Sequence, residues 1–246
     1  MPHPVLIFDF DGTVALGEGP VLAYANAVMR RAGLAPAFVD EIAQRLAHAE
    51  SEGGAVDGYD LVRVRAEHVG VDADTLAGAY LDSRALLGTA AAAVVAPAGL
   101  VDLLEETTAE RILLTNAPAV RLTETLAGLG LEGRFDRIVT DAGKPDGFDA
   151  LLDEIGDRPV LSVGDIWRND LAPAHARGHA TALVGGFVDP AATPTYRAPR
   201  LEGLLDDLRH WVASASAVAS GLAATATDHP SDIPAPTRLT PSKEKP

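Results

Sequence analysis

The chain has 246 residues, 47% of them apolar, enough for one sizeable α/β domain or one domain with a smaller insert. Its 35 acids outnumber 20 bases, a formal charge of −15, which argues against nucleic acid or an acidic membrane surface as partner, since phosphate neutralisation needs clustered Lys and Arg. There is no cysteine, so disulfides and thiolate metal sites are excluded, and no stretch approaches the ~20 apolar residues of a membrane span. The opening "MPHPVLIFDF" lacks the basic start of a signal peptide. A soluble cytoplasmic protein is the expectation.

In chain order, "VLIFDF" (5–10) is a near-continuous apolar run and reads as a strand covered on both faces. Residues 14–97 follow with helical patterns over 20–33, 36–50, 57–69 and 72–87, separated by turn residues such as Gly33, Gly53-Gly54 and Gly70. No convincing strand interrupts them. This stretch is too long for one crossover and reads as an all-helical domain inserted after the first strand. A helix over 98–108 returns the chain to the sheet. Strands are then expected at "RILLTN" (111–116), "DRIVTD" (136–141), "PVLSVGD" (159–165) and "ATALVGG" (180–186). Helices are expected between them at 118–130, 147–156 and 169–178, the first opening on Pro118 and closing on Gly130. Strand and helix in alternation predict a doubly wound, Rossmann-like parallel α/β sheet, formed by 1–13 with 98–213. Residues 214–246 are small, polar and proline-rich, and read as a low-complexity, disordered tail.

Ligands of a parallel sheet bind beyond the C-terminal ends of its strands. The first strand ends in Asp9 and Asp11, the second in Thr115-Asn116, the third is followed by Lys144, and the fourth by Asp165 and Asp170. A turn explains any one of these, but not why all four strand ends agree. Carboxylates with further oxygen donors suit Mg²⁺, a hard cation. A lysine among them is a poor neighbour for a metal unless anionic oxygens lie between, and a phosphoryl group supplies those oxygens. One carboxylate can then attack phosphorus and a second can move the proton. The chain has three lysines, and Lys243 and Lys245 lie in the tail, so Lys144 is the one kept in the body of the protein.

"DFDGT", "LLTN", the lysine of "GKPDG" and "GDIWRND" resemble, in that order and on those strand ends, the four signature motifs of the haloacid dehalogenase-like superfamily. The resemblance spans residues 4–186, with 14–97 similar to that superfamily's helical C1-type cap. It implies a phosphatase dependent on Mg²⁺ and acting on a small phosphorylated metabolite. Asp9 would be the nucleophile and, with the backbone carbonyl of Asp11 and with Asp165, a metal ligand. Asp11 would be the general acid and base. Thr115 and the Asn116 backbone would bind the phosphoryl group, and Lys144 would pair with it and with Asp9. Asp170 would support the metal or orient Lys144, Gly12 would let the chain turn into the insert, and Gly164 would relieve crowding beside the metal. Asp11 separates this pattern from the dehalogenase members, which lack the second acid. The absence of lysine from 14–97 separates it from the phosphonate-cleaving members.

A sugar phosphomutase is the alternative on the same residues, and a non-catalytic phospho-ligand binder is a lesser one. A receiver domain also groups paired acids, Thr and Lys, but its phosphorylated acid follows a later strand. Within the insert, His48, His68, Arg63, Arg65 and Arg84 read as a solvated helix face, with some able to turn to substrate. Trp167 and Arg168 read as packing and surface residues. "VALGEGP" after Asp-Gly-Thr departs from the Asp-Ser that relatives often carry, so the substrate cannot be carried over by analogy.

Overall fold

The computed structural model describes residues 3–48, 55–185, 187 and 189–219. Six parallel strands form one sheet in the order β3-β2-β1-β4-β5-β6: β1 Val5–Phe8, β2 Glu110–Leu114, β3 Arg137–Val139, β4 Val160–Gly164, β5 Ala180–Leu183 and β6 Tyr196–Arg197. Strand β1 is central, with Ile7 opposite Ile112 of β2 on one side and Ser162 of β4 on the other. The strand order reverses between β1 and β4, which opens a crevice at their C-terminal ends.

Both faces of β1 are buried, and the period of two divides its side chains between two cores. Leu6 and Phe8 pack with Leu100, Leu103 and Leu104 of α5 (Leu100–Glu106), Leu122 and Leu126 of α6 (Leu122–Gly128), and Leu205, Leu208 and Val212 of α9 (Leu205–Ala219). Val5 and Ile7 pack with Phe148, Leu151, Leu152 and Ile155 of α7 (Asp146–Ile155) and with Ala174 of α8 (Ala172–Ala176). Helices thus cover both sheet faces, which is why the strands read as unbroken apolar runs.

The segment between β1 and α5 is helical: α1 Gly19–Ala32, α2 Ala37–Leu46, α3 Gly58–His68 and α4 Ala73–Arg84. It has its own core, in which Tyr24, Ala27 and Val28 of α1 meet Phe38 and Ile42 of α2, Leu61 and Val62 of α3, and Leu76 and Ala79 of α4. Its helices are capped locally: Asp57 accepts from Asp60 N at 2.6 Å and Asp72 from Thr75 N at 2.7 Å. At the neck, Leu16 and Val95 exchange backbone hydrogen bonds of 2.9 Å, so the outgoing and returning chains are tied together.

Three expectations are corrected. Helix α6 begins at Leu122 rather than 118, because Arg121 before it has a φ of 55° and cannot extend the helix. Residues 169–178 are not one helix: a π-turn, Trp167–Leu171, leads into the short α8. The stretch 214–219, expected in a disordered tail, is the last part of α9. The rest of that tail, 220–246, lies outside the described residues, as does the end of the helix expected to reach residue 50. Strand β6 was not anticipated; its two residues pair with Ala182 and Leu183. Among the described residues, no helix is long and apolar enough to cross a membrane.

Candidate active site

The chain leaves β1 still bonded to the sheet, with Asp9 N donating to Val163 O at 2.9 Å. Phe8 and Phe10 enter the core, and Asp9 and Asp11 are the partly exposed residues that alternate with them. A tight turn follows in which Phe10 O accepts from the N–H groups of Thr13, Val14 and Ala15. Gly12 holds it open at φ +82°, and a Cβ there would collide with the carboxylate of Asp165. At the end of β4, a Cβ on Gly164 would likewise collide with Asp170. Two glycines therefore let the β1 and β4 acids come together. For Gly12→Ala we expect a cost on the order of 1–2 kcal/mol from the left-handed backbone alone, with displacement of Asp165 added to it. Denaturant unfolding would read this as a lowered midpoint at unchanged m-value.

Lys144 lies at the centre. Its side chain is 3% exposed, and Nζ donates to Asp9 Oδ1 at 2.6 Å, Asp170 Oδ1 at 2.7 Å and Leu114 O at 2.9 Å. These three bonds use all three ammonium donors. Burial works against its charge, but Asp9 and Asp170 outweigh it and hold the pKa above the usual lysine value. The loop carrying Lys144 is clasped to the end of β2: Lys144 N donates to Asn116 Oδ1 at 2.7 Å and Asn116 Nδ2 to Lys144 O at 3.2 Å. Thr115, buried, accepts at Oγ1 from Ala117 N at 3.0 Å. Asp170 is held by Ile166 N on Oδ2 at 2.9 Å, while its carbonyl accepts from Ser162 Oγ at 2.6 Å.

Asp9, Asp165 and Asp170 each present a carboxylate oxygen, all within 4.8 Å of one another. Burial first, and then repulsion from Asp9, raises the pKa of both Asp165 and Asp170. Asp165 Oδ1 is buried and has no hydrogen-bond partner among the described residues. Hard oxygen donors, clustered and under-compensated, with one orphaned oxygen among them, fit a divalent cation such as Mg²⁺.

The carboxylate of Asp11 is not in that cluster. It accepts from Arg84 Nη1 at 2.7 and 3.0 Å, and from the Tyr59 hydroxyl at 3.4 Å. Burial raises its pKa, the Arg84 charge opposes this, and Asp9 adds to it. Arg84 corrects the expectation of a solvated face: its side chain is 1% exposed, at the end of α4, over the ring of Phe10. Arg63 and Arg65 do fit a surface role, pairing with Asp60, Glu67 and Glu41. Trp167 is buried and Arg168 exposed.

A cavity of about 320 Å³ joins these groups, lined by Asp9, Asp11, Thr115, Asn116, Lys144 and Asp170 from the sheet side and by Asp57, Tyr59 and Tyr80 from the insert. Sequence reasoning missed the last three. The available signal was Asp57, which sits just before a helix and reads there only as a boundary residue.

No protein-family model matches the chain, and no curated protein matches it in sequence. Solved structures do match in fold. The putative haloacid dehalogenase-like hydrolase YfnB of Bacillus subtilis, solved bound to magnesium, is 21% identical, with 85% of this chain and 100% of that one covered at a TM-score of 0.56. A putative phosphatase from Clostridium difficile is 17% identical over 85% and 99% of the two chains, with a TM-score of 0.61. The L-2-haloacid dehalogenase of Xanthobacter autotrophicus is 20% identical over 84% and 98%, with a TM-score of 0.52. The fold is that of the haloacid dehalogenase-like hydrolases, a group that contains both phosphatases and dehalogenases.

Proposed function

We propose that the protein is a Mg²⁺-dependent phosphatase that hydrolyses a small phosphorylated metabolite through an aspartyl-phosphate. The observation that carries this reading is Lys144 bonded to both Asp9 and Asp170, beside an Asp165 whose buried oxygen has no partner among the described residues. Asp11 favours phosphoryl transfer over dehalogenation, because only the former needs a second acid to protonate a leaving oxygen.

In this mechanism an oxygen of Asp9 attacks phosphorus in line, forming the Asp9–phosphorus bond as the bond to the leaving oxygen breaks. Asp11 gives its proton to that leaving oxygen. In the second half, Asp11 takes a proton from water, and the water oxygen displaces Asp9 from phosphorus to release inorganic phosphate. Burial favours the protonated form of Asp11 and Arg84 favours the ionised form, so the two opposed influences suit a group that must do both. Lys144 offsets the charge of Asp9 and of the phosphoryl oxygens. The Thr115 hydroxyl and the N–H of Asn116 would orient those oxygens. Asp9 and Asp165, with Asp170 beside them, would hold Mg²⁺, which would supply charge neutralisation on the phosphoryl group. The helical insert, acting as a cap, would shape the pocket and limit water.

The test is phosphate release from sugar phosphates, nucleotides and an aryl phosphate, with Mg²⁺ or with EDTA. Release that Mg²⁺ supports and EDTA abolishes is the expected result. No release from any compound, with phosphorylated Asp9 accumulating from a sugar bisphosphate, would point to a phosphomutase instead.

A further inference from the structure

The wall opposite the phosphoryl site has a chemistry of its own. Asp57 spends Oδ1 on the N-terminus of α3, and its Oδ2 has no partner among the described residues. Burial pushes its pKa up to about 6, opposed by the Asp60 N–H bond and helped by the acids Asp60, Asp11 and Asp9. Tyr59 and Tyr80 stand beside it with ring centroids 5.8 Å apart at 80°, and Tyr24 closes the group at 6.0 and 5.9 Å from them. Lys144 is the one cationic side chain among the described residues lining the cavity, and its three donors are committed. Arg84 does not line the cavity: it bonds Asp11 and the Tyr59 hydroxyl through Nη1, while its Nε and Nη2 are buried with no partner among the described residues. Exposed Arg168 lines a neighbouring cavity, which it shares with Asp189.

A second anionic group on the substrate would therefore meet a carboxylate, with the one cationic side chain lining the cavity already committed. A positive one would meet the Asp57 carboxylate and two tyrosine side chains, the elements that recognise ammonium ions. We propose that the leaving alcohol of the substrate bears a cationic nitrogen, an aminoalkyl phosphate seated with its phosphoryl group at Asp9 and its ammonium against Asp57, Tyr59 and Tyr80. This rests on the phosphatase reading and narrows it.

The test compares three esters of one size: 2-aminoethyl phosphate, propyl phosphate and 2-phosphoglycolate. We expect kcat/KM to fall in that order, by about tenfold at each step. In Asp57→Asn the ratio of the first to the second should drop about tenfold, since Asn keeps the helix cap and removes only the charge. Equal rates, a preference for 2-phosphoglycolate, or a ratio unmoved in Asp57→Asn would overturn the proposal. Hydrolysis of an aryl phosphate reads the phosphatase activity separately. If that too is absent, calorimetric titration of the three esters into Mg²⁺-loaded Asp9→Asn still decides: tighter binding of the aminoethyl ester supports the cationic pocket, and equal or weaker binding sinks it.

Discussion

Asp9→Asn should abolish turnover, with a loss on the order of 10⁴-fold or more in kcat, while the protein stays folded. The amide keeps an oxygen that can accept from Lys144 Nζ, so the 2.6 Å contact has a replacement. It lacks the electron-rich oxygen that attacks phosphorus. Asp9 repels Asp11, Asp165 and Asp170, raising the pKa of each, and attracts Lys144, so the two effects of removing its charge oppose each other. The thermal midpoint without Mg²⁺ should change little, and the gain on adding Mg²⁺ should shrink. Turnover of a tenth or more of wild type would remove Asp9 as nucleophile.

Lys144→Ala should be costly to the fold itself. The ammonium sits between two carboxylates, Asp170 being 3% exposed, and its loss leaves both without a counter-charge. Breaking a buried pair in this way costs about 3–5 kcal/mol. The deficit should depend on pH. Burial and Asp9 already raise the pKa of Asp170, and Lys144 is what holds it down. Without Lys144 the folded-state pKa lies further above the unfolded value, so the native state binds the extra proton and stability falls as pH rises. The gap between variant and wild type should therefore narrow toward acid pH. Denaturant unfolding at pH 5 and pH 8 would measure it, and a gap that does not change with pH would return Lys144 to a packing role.

The sheet was legible because both of its faces are covered. The run Val5–Phe8 has no polar position to misread and Val160–Val163 only the buried Ser162, and the acids that follow them stand out against them. Asp9, Asp165, Asp170 and Lys144 could be picked out because a parallel sheet puts every strand's C-terminus on one edge. Groups that meet across the insert had no such rule to reveal them. Arg84 and Asp11 are far apart in sequence, and an arginine ending a helix ordinarily faces water; only the seating of the end of α4 against Phe10 and Asp11 buries it. Strand β6 has two residues, too few for a period. Helix α9 ends in alternating Ala and Ser, whose weak pattern is overridden by Leu205, Leu208 and Val212 packing beneath it.

The position of β1 has a consequence for how the chain assembles. Val5 lies opposite Glu110 on one side and Val160 on the other, so neither neighbour of the central strand is local in sequence. Both partners of β1 follow it in the chain, so β1 is unpaired until the helical insert and the first crossover have been made. The insert has a core of its own and can order early; the sheet must wait for long loops to close, a slow step governed by topology. During that interval the apolar run 5–8 is an unpaired edge, the segment on which a chaperone or an aggregate would first take hold.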